Sequence, residues 1–121
     1  MEWHIQADDP ECLITVKVTG LVKAAPLKEM TRELCATVLA RRSKQVLLDY
    51  TQAVPGLEPY EIFERPKVLQ DLGFPNNVKV AVLYRVLDEN TQFLENVYRN
   101  KSFPVRVFAD QSQAMDWLKE S

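Results

Sequence analysis

Residues 46–61 read VLLDYTQAVPGLEPYE, and the fold turns on how that stretch is divided. An apolar run stops at Asp49 and Tyr50, a polar loop with Pro55 and Gly56 follows, and Glu58-Pro59 marks a helix start, since proline suits the first helical turn. The division predicts a compact strand over 45–50 and a helical segment from Glu58 or Pro59 to Gly73, where glycine supplies the left-handed cap. Pro66 falls inside that segment. A proline there removes one backbone donor and crowds the preceding turn, so the expectation is a kink or two short helices.

Upstream, Trp3, Ile5 and Ala7 alternate with His4 and Gln6, and Cys12, Ile14, Val16 and Val18 alternate with Leu13, Thr15 and Lys17. Both are the period of a half-buried strand, and Asp8-Asp9-Pro10-Glu11 between them predicts a hairpin turn. From Pro26 the period changes: Leu27, Met30, Leu34, Cys35 and Val38 recur at helical spacing, with Arg41, Arg42 and Lys44 near the negative end of the dipole. Downstream, Val78, Val80, Val82 and Tyr84 predict a fourth strand, and Phe93, Leu94, Val97 and Tyr98 a third helix. In PVRVFADQSQAMDWL, Val105 and Val107 belong to a last strand, Asp110 and Gln113 have capping-box spacing, and Ala114, Trp117 and Leu118 form the stripe of a closing helix. Two strands followed by alternating helix and strand give an α/β fold of about five strands: an antiparallel hairpin, then mostly parallel strands joined by right-handed crossovers. A sheet covered on both sides should be apolar on both. Here His4, Gln6, Thr15, Lys17, Lys79 and Arg106 leave the strands a mixed face, which predicts helices mainly on one side and a partly open other side.

A chain of 121 residues fits one domain and buries about two thirds of the surface its unfolded form exposes. The net charge of −2 arises from acidic and basic residues mixed along the chain, which gives no field for a polyanion and argues against nucleic acid. The first residues, MEWHIQADD, lack the apolar core of a secretion signal, and no apolar run approaches the roughly 18 residues of a membrane span. A cytoplasmic location is the expectation. Cys12 and Cys35 stand in apolar segments without metal or redox spacing, which predicts buried reduced thiols and no metal or cofactor.

The element order, together with VLLDYTQAVPGLEPYE and VRVFADQSQAMDWL, resembles the STAS family of anti-anti-sigma factors, with a SpoIIAA-like fold. It is similar above all to a variant group of small bacterial proteins related to Sec14-like lipid-binding domains. These end in a phenylalanine, an acidic residue, an alanine and then tryptophan and leucine, here Phe108, Asp110, Ala114, Trp117 and Leu118. In phosphorylated members a strand ending in aspartate and leucine leads through a loop to a serine at the next helix start. Asp49 and Tyr50 match the strand end, the serine would fall near Glu58, and residues 53–63 hold no serine or threonine. The resemblance therefore implies a non-enzymatic regulatory or interaction module without the usual switch, with a protein partner or a second copy of itself. Thr51 is the hydroxyl nearest the loop, and Glu58 could act as a fixed negative charge in the serine's place.

Ligands of α/β sheets bind outside the carboxyl ends of the strands, where helix starts present backbone donors. That places Asp49, Tyr50, Thr51, Tyr84 and Arg85 at a candidate rim, Arg85 as an anion contact and the tyrosines as amphipathic walls; Asp110 is accounted for as a cap. Tyr60, Phe63 and Phe74 accompany the segment containing Pro66, and an apolar cleft beneath it would admit a lipid-like ligand. A carrier or sensor of a small apolar or anionic ligand is thus the alternative to the interaction module. An enzyme ranks below both. The lone histidine, His4, sits on an outer strand, the carboxylate pairs lie in a turn or at helical spacing, and Gly20, Gly56 and Gly73 form no phosphate loop.

Overall fold

The computed structural model describes residues 1–8 and 12–120. Asp9, Pro10 and Glu11, where the hairpin turn was expected, lie outside the described residues. In chain order the elements are β1 (Glu2–Asp8), β2 (Leu13–Leu21), α1 (Ala24–Arg41), β3 (Gln45–Val54), α2 (Pro59–Leu72), β4 (Lys79–Leu83), α3 (Glu89–Asn100), β5 (Val105–Phe108) and α4 (Gln111–Lys119). The strands form one sheet in the order β1-β2-β3-β4-β5. β1 pairs antiparallel with β2, and the remaining pairs are parallel, as the alternation of elements predicts.

The two sheet faces are covered unequally. Ile14, Val16, Val18, Val46, Val80 and Val82 point to one side and pack with Leu27, Met30, Leu34 and Val38 of α1, Leu69 of α2 and Tyr98 of α3. Among the described residues the other side carries α4 alone, whose Ala114 and Leu118 sit on Leu47, Ala81, Leu83 and Phe108. β1 and the neighbouring part of β2 keep that side open, with Glu2, His4, Gln6 and Lys17 exposed. Lys79 and Arg106 owe their place to α4: the Lys79 ammonium donates to Trp117 O at 2.9 Å and Glu120 O at 2.7 Å and lies 5.1 Å from the Trp117 ring. It thereby satisfies carbonyls at the negative end of the helix. On the outer edge, Glu95 Oε2 accepts from Val107 N at 3.2 Å, so a free strand donor is capped by a side chain.

Three expectations need correction. Helix α2 runs unbroken through Pro66 from Pro59 to Leu72. The proline ring is fully buried, and that burial offsets the missing hydrogen bond. Strand β3 continues four residues beyond Tyr50, because one extra residue is inserted: Lys17 pairs with Asp49 but Thr19 pairs with Gln52. This bulge inverts the side-chain alternation, so Tyr50 faces the helices and then Ala53, not Gln52, does so. Cys12 is exposed, with a left-handed φ of 56°, whereas Cys35 is buried as expected, and burial pushes its thiol pKa up.

Candidate functional site

The β3 bulge fixes the first part of the site. Asp49 Oδ1 accepts from Thr51 N at 2.9 Å and from Thr51 Oγ1 at 2.6 Å, supplying the partner that the irregular backbone needs. Asp49 and Thr51 therefore bind one another at the turn of register, while Tyr50 between them projects toward the helical layer.

Helix α2 begins over the loop that follows. Glu61 Oε1 accepts from Glu58 N at 2.9 Å and Glu61 N donates to Glu58 O at 2.9 Å, which closes the helix start, with Pro59 in its first turn. Gly73 at φ 76° ends it, its N–H donating to Gln70 O and Leu69 O. Helix α3 is fixed at its start by a reciprocal pair: Asp88 Oδ1 accepts from Thr91 N, and Thr91 Oγ1 accepts from Asp88 N, each at 2.9 Å.

Between these anchored helices and the strand ends lies a cleft of about 160 Å³. Leu48, Val80 and Val82 form its sheet wall, Met30 belongs to α1, Ile62 and Leu69 to α2, and Leu94 and Tyr98 to α3. It opens outward to a shallower vestibule of about 300 Å³ lined by Tyr50, Pro55, Tyr84, Arg85, Val86 and Asp88. Tyr50 and Tyr84 meet edge to face with centroids 5.6 Å apart, and both line the cleft and the vestibule. Burial raises both phenol pKa values above the ordinary range. At Tyr50 the nearby Arg65 charge works against that rise while Tyr98 adds to it; at Tyr84, Tyr50, Tyr98 and Asp88 add to it.

Arg65 is the feature that sequence reasoning missed. It is 8% exposed and lines the cleft from α2. Its Nη2 donates to Thr31 Oγ1 at 2.6 Å and its Nε to Tyr98 Oη at 3.2 Å. Thr31 in turn donates to Leu27 O at 2.7 Å, which leaves its oxygen lone pairs for the guanidinium. Among the described residues Arg65 forms no ion pair. An arginine in the middle of a helical stripe reads as a solvated residue in sequence, and its one signal is the spacing Ile62, Arg65, Pro66, Leu69 on the buried face.

The site thus gathers only part of what the sequence nominated. Tyr50 and Tyr84 line the cleft, and Arg85 is exposed at the vestibule. Asp49 and Thr51 brace the bulge, and Glu58 stands at the helix start. Tyr60 and Phe63 are 65% and 66% exposed on the outer side of α2 and do not line the cleft, because Ile62, Arg65, Pro66 and Leu69 hold the inward stripe. Phe74 lines it. Among the described residues no His, Cys, Asp and Glu groups are placed to hold a metal ion, and no helix is long and apolar enough to cross a membrane.

No family model matches the chain, and no curated protein matches it in sequence. Solved structures do. An anti-sigma factor antagonist from Mycobacterium paratuberculosis superposes with a TM-score of 0.61 at 14% identity, over 98% of this chain and 96% of that one. SpoIIAA in its unphosphorylated form gives 0.56 at 10% identity, over 99% of this chain and 100% of its own. The fold is SpoIIAA-like. An uncharacterised protein of Shewanella loihica, itself described as having a SpoIIAA-like fold, gives 0.61 at 20% identity over 97% and 92%. The SpoIIAA-like sheet accounts for the element order read from the sequence, and the likeness at these identities is one of fold.

Proposed function

We propose that this chain is a non-enzymatic regulatory module of SpoIIAA-like fold whose switch is a small ligand in the cleft beneath α2, rather than a modified serine at the start of that helix. The observation that carries the reading is the cleft itself: mostly apolar, open at the carboxyl ends of β3 and β4, and roofed by α2. The STAS resemblance puts the modified serine near Glu58, where α2 begins, and this chain has no serine or threonine from 53 to 63. A ligand beneath α2 acts on the same element from the inside.

The output side of the module is the outer surface of α2. Tyr60 and Phe63 are exposed there, large and apolar, on the helix whose inner stripe covers the cleft. Two of the structural neighbours are described as anti-sigma factor antagonists, which points to a protein as the partner at this surface. Occupancy of the cleft biases the position of α2, and a partner that prefers one position is gained or released by that preference.

The test is native mass spectrometry of the protein purified gently from its own host. The reading predicts a small-molecule adduct at one per chain that is lost on denaturation. A bare chain, whether free, dimeric or with a bound protein, would remove the ligand from the account. A phosphate on Thr51 would show that the chain keeps a covalent switch at the β3 bulge.

A further inference from the structure

We propose that the cleft takes a monocarboxylate with an apolar body of about six to ten carbons, its carboxylate paired with the Arg65 guanidinium and its body lying toward Tyr50 and Tyr84. This rests on the reading of the cleft as a ligand site and names the ligand's chemistry.

A buried guanidinium is kept in proteins by an opposite charge or by full hydrogen bonding. Arg65 has neither among the described residues. Nε and Nη2 are bonded to two neutral hydroxyls, those of Tyr98 and Thr31, and Nη1 has no partner. No fully buried side-chain nitrogen or oxygen among the described residues lacks a partner, so Nη1 keeps an open approach, and the space Arg65 lines is the cleft. The neighbouring hydroxyl is poised the same way: Tyr98 Oη accepts from Arg65, and its own proton has no acceptor among the described residues. Nη1 carries two N–H donors directed away from the edge that Thr31 and Tyr98 hold, and these suit the oxygens of a carboxylate.

Charge narrows the class. Arg65 is the one cationic side chain lining the inner cleft among the described residues, so a monoanion neutralises it and a dianion leaves a surplus charge in apolar surroundings. Asp88 also borders the cleft, but it is exposed at the mouth, with Oδ1 accepting from Thr91 N and no ion pair to Arg65, and its carboxylate adds to the penalty for a second negative charge. An amine would face the guanidinium's repulsion, and a neutral ligand would leave it uncompensated. The inner cleft of about 160 Å³ compares with the apolar cavity of ~150 Å³ that admits benzene, so about six carbons fit inside and any remainder extends along the Tyr50 and Tyr84 rings into the vestibule.

The experiment is calorimetric titration of the wild-type protein at pH 7.5 with octanoate, 1-octanol, octylammonium and octyl phosphate. Octanoate is expected to bind about 10- to 100-fold more tightly than octanol, with octylammonium weakest. In Arg65→Leu the octanoate affinity falls to that of octanol, whose own affinity changes less than about threefold, because only the charged bond is lost. Thr31→Val keeps the charge but frees the guanidinium's anchor, and it weakens octanoate alone by about 3- to 10-fold. Equal binding of octanol and octanoate by the wild type would overturn the carboxylate assignment and leave the cleft as a ligand site. Tighter binding of octyl phosphate would overturn it in favour of a phosphate head. Failure of all four to bind would overturn both the carboxylate and the cleft reading. The wild-type ranking stands on its own if a variant does not fold.

Discussion

Raising the pH should destabilise this protein through two residues of the cleft wall. Tyr50 and Tyr84 have phenol pKa values raised by burial, so the fold favours their neutral forms, whereas the unfolded chain ionises near 10. Below that pH both states hold the protons and the contribution is intact. Above it the unfolded chain releases protons that the folded chain keeps, and stability falls by about 1.36 kcal/mol per pH unit for each group until the folded pKa is passed. Between pH 8 and pH 11 the loss is about 1.4 kcal/mol per tyrosine, close to 3 kcal/mol for both, a sizeable part of a typical total of 5–15 kcal/mol. Neither hydroxyl has a hydrogen-bond partner among the described residues, so Tyr50→Phe and Tyr84→Phe should cost under about 1 kcal/mol at pH 8. The assay is urea unfolding at pH 8 and pH 11 of the wild type, each variant and the double variant. The wild-type midpoint should drop on the order of 1–3 M more than that of the double variant, with each single variant midway. An equal drop in wild type and double variant would show that burial does not hold the two phenols neutral and would refute the reasoning.

Gly56→Ala should destabilise by about 1–3 kcal/mol in the same assay: a Cβ there would lie 2.8 Å from Leu21 Cδ1, which can move, and inside contact range of the Val22 carbonyl, which cannot. Arg65→Leu in the ligand-free protein should be neutral or stabilising by up to about 3 kcal/mol, since it removes a buried charge without an ionic partner among the described residues; a loss above 3 kcal/mol would make Arg65 a structural element. Asp110→Ala should cost about 1 kcal/mol in thermal unfolding, because its Oδ1 accepts from Gln113 N at 3.1 Å at the start of α4. Tyr60→Ser and Phe63→Ser should each leave stability within about 0.5 kcal/mol while weakening capture of a protein partner, both being exposed.

Periodicity made most of the fold legible, because burial on one face imposes its period directly. Val78 to Tyr84 and Leu27 to Val38 show their element type in that way, and Asp110 announces the last helix by its spacing to Gln113. The polar residues of the outer strands also forecast the half-open sheet. The strand ending at Tyr50 was read short for a physical reason: the bulge at Thr51 inverts the alternation, so Gln52 interrupts the pattern although pairing continues to Val54. Pro66 predicts a kink or a split because a local rule carries no information on burial, and with its ring buried α2 is one helix rather than two.

The site was legible at its rim and hidden at its base. Tyr50 and Tyr84 follow from the strand ends, but the partners of Arg65 come from two other helices, Thr31 being 34 residues before it and Tyr98 33 after it. No short-range pattern joins residues so far apart. Tyr60 and Phe63 were assigned to the cleft by proximity in sequence, and helical phase placed them outside.

The most direct test of the cleft as a ligand site is a ¹H–¹⁵N correlation spectrum of the labelled protein titrated with octanoate. The largest shifts should fall on Tyr50, Ala53, Gly56, Leu69 and Thr91, which surround the cleft, while Glu2, His4 and Lys17 on the open sheet face stay in place. Shifts centred on that open face, or none at saturating octanoate, would contradict it.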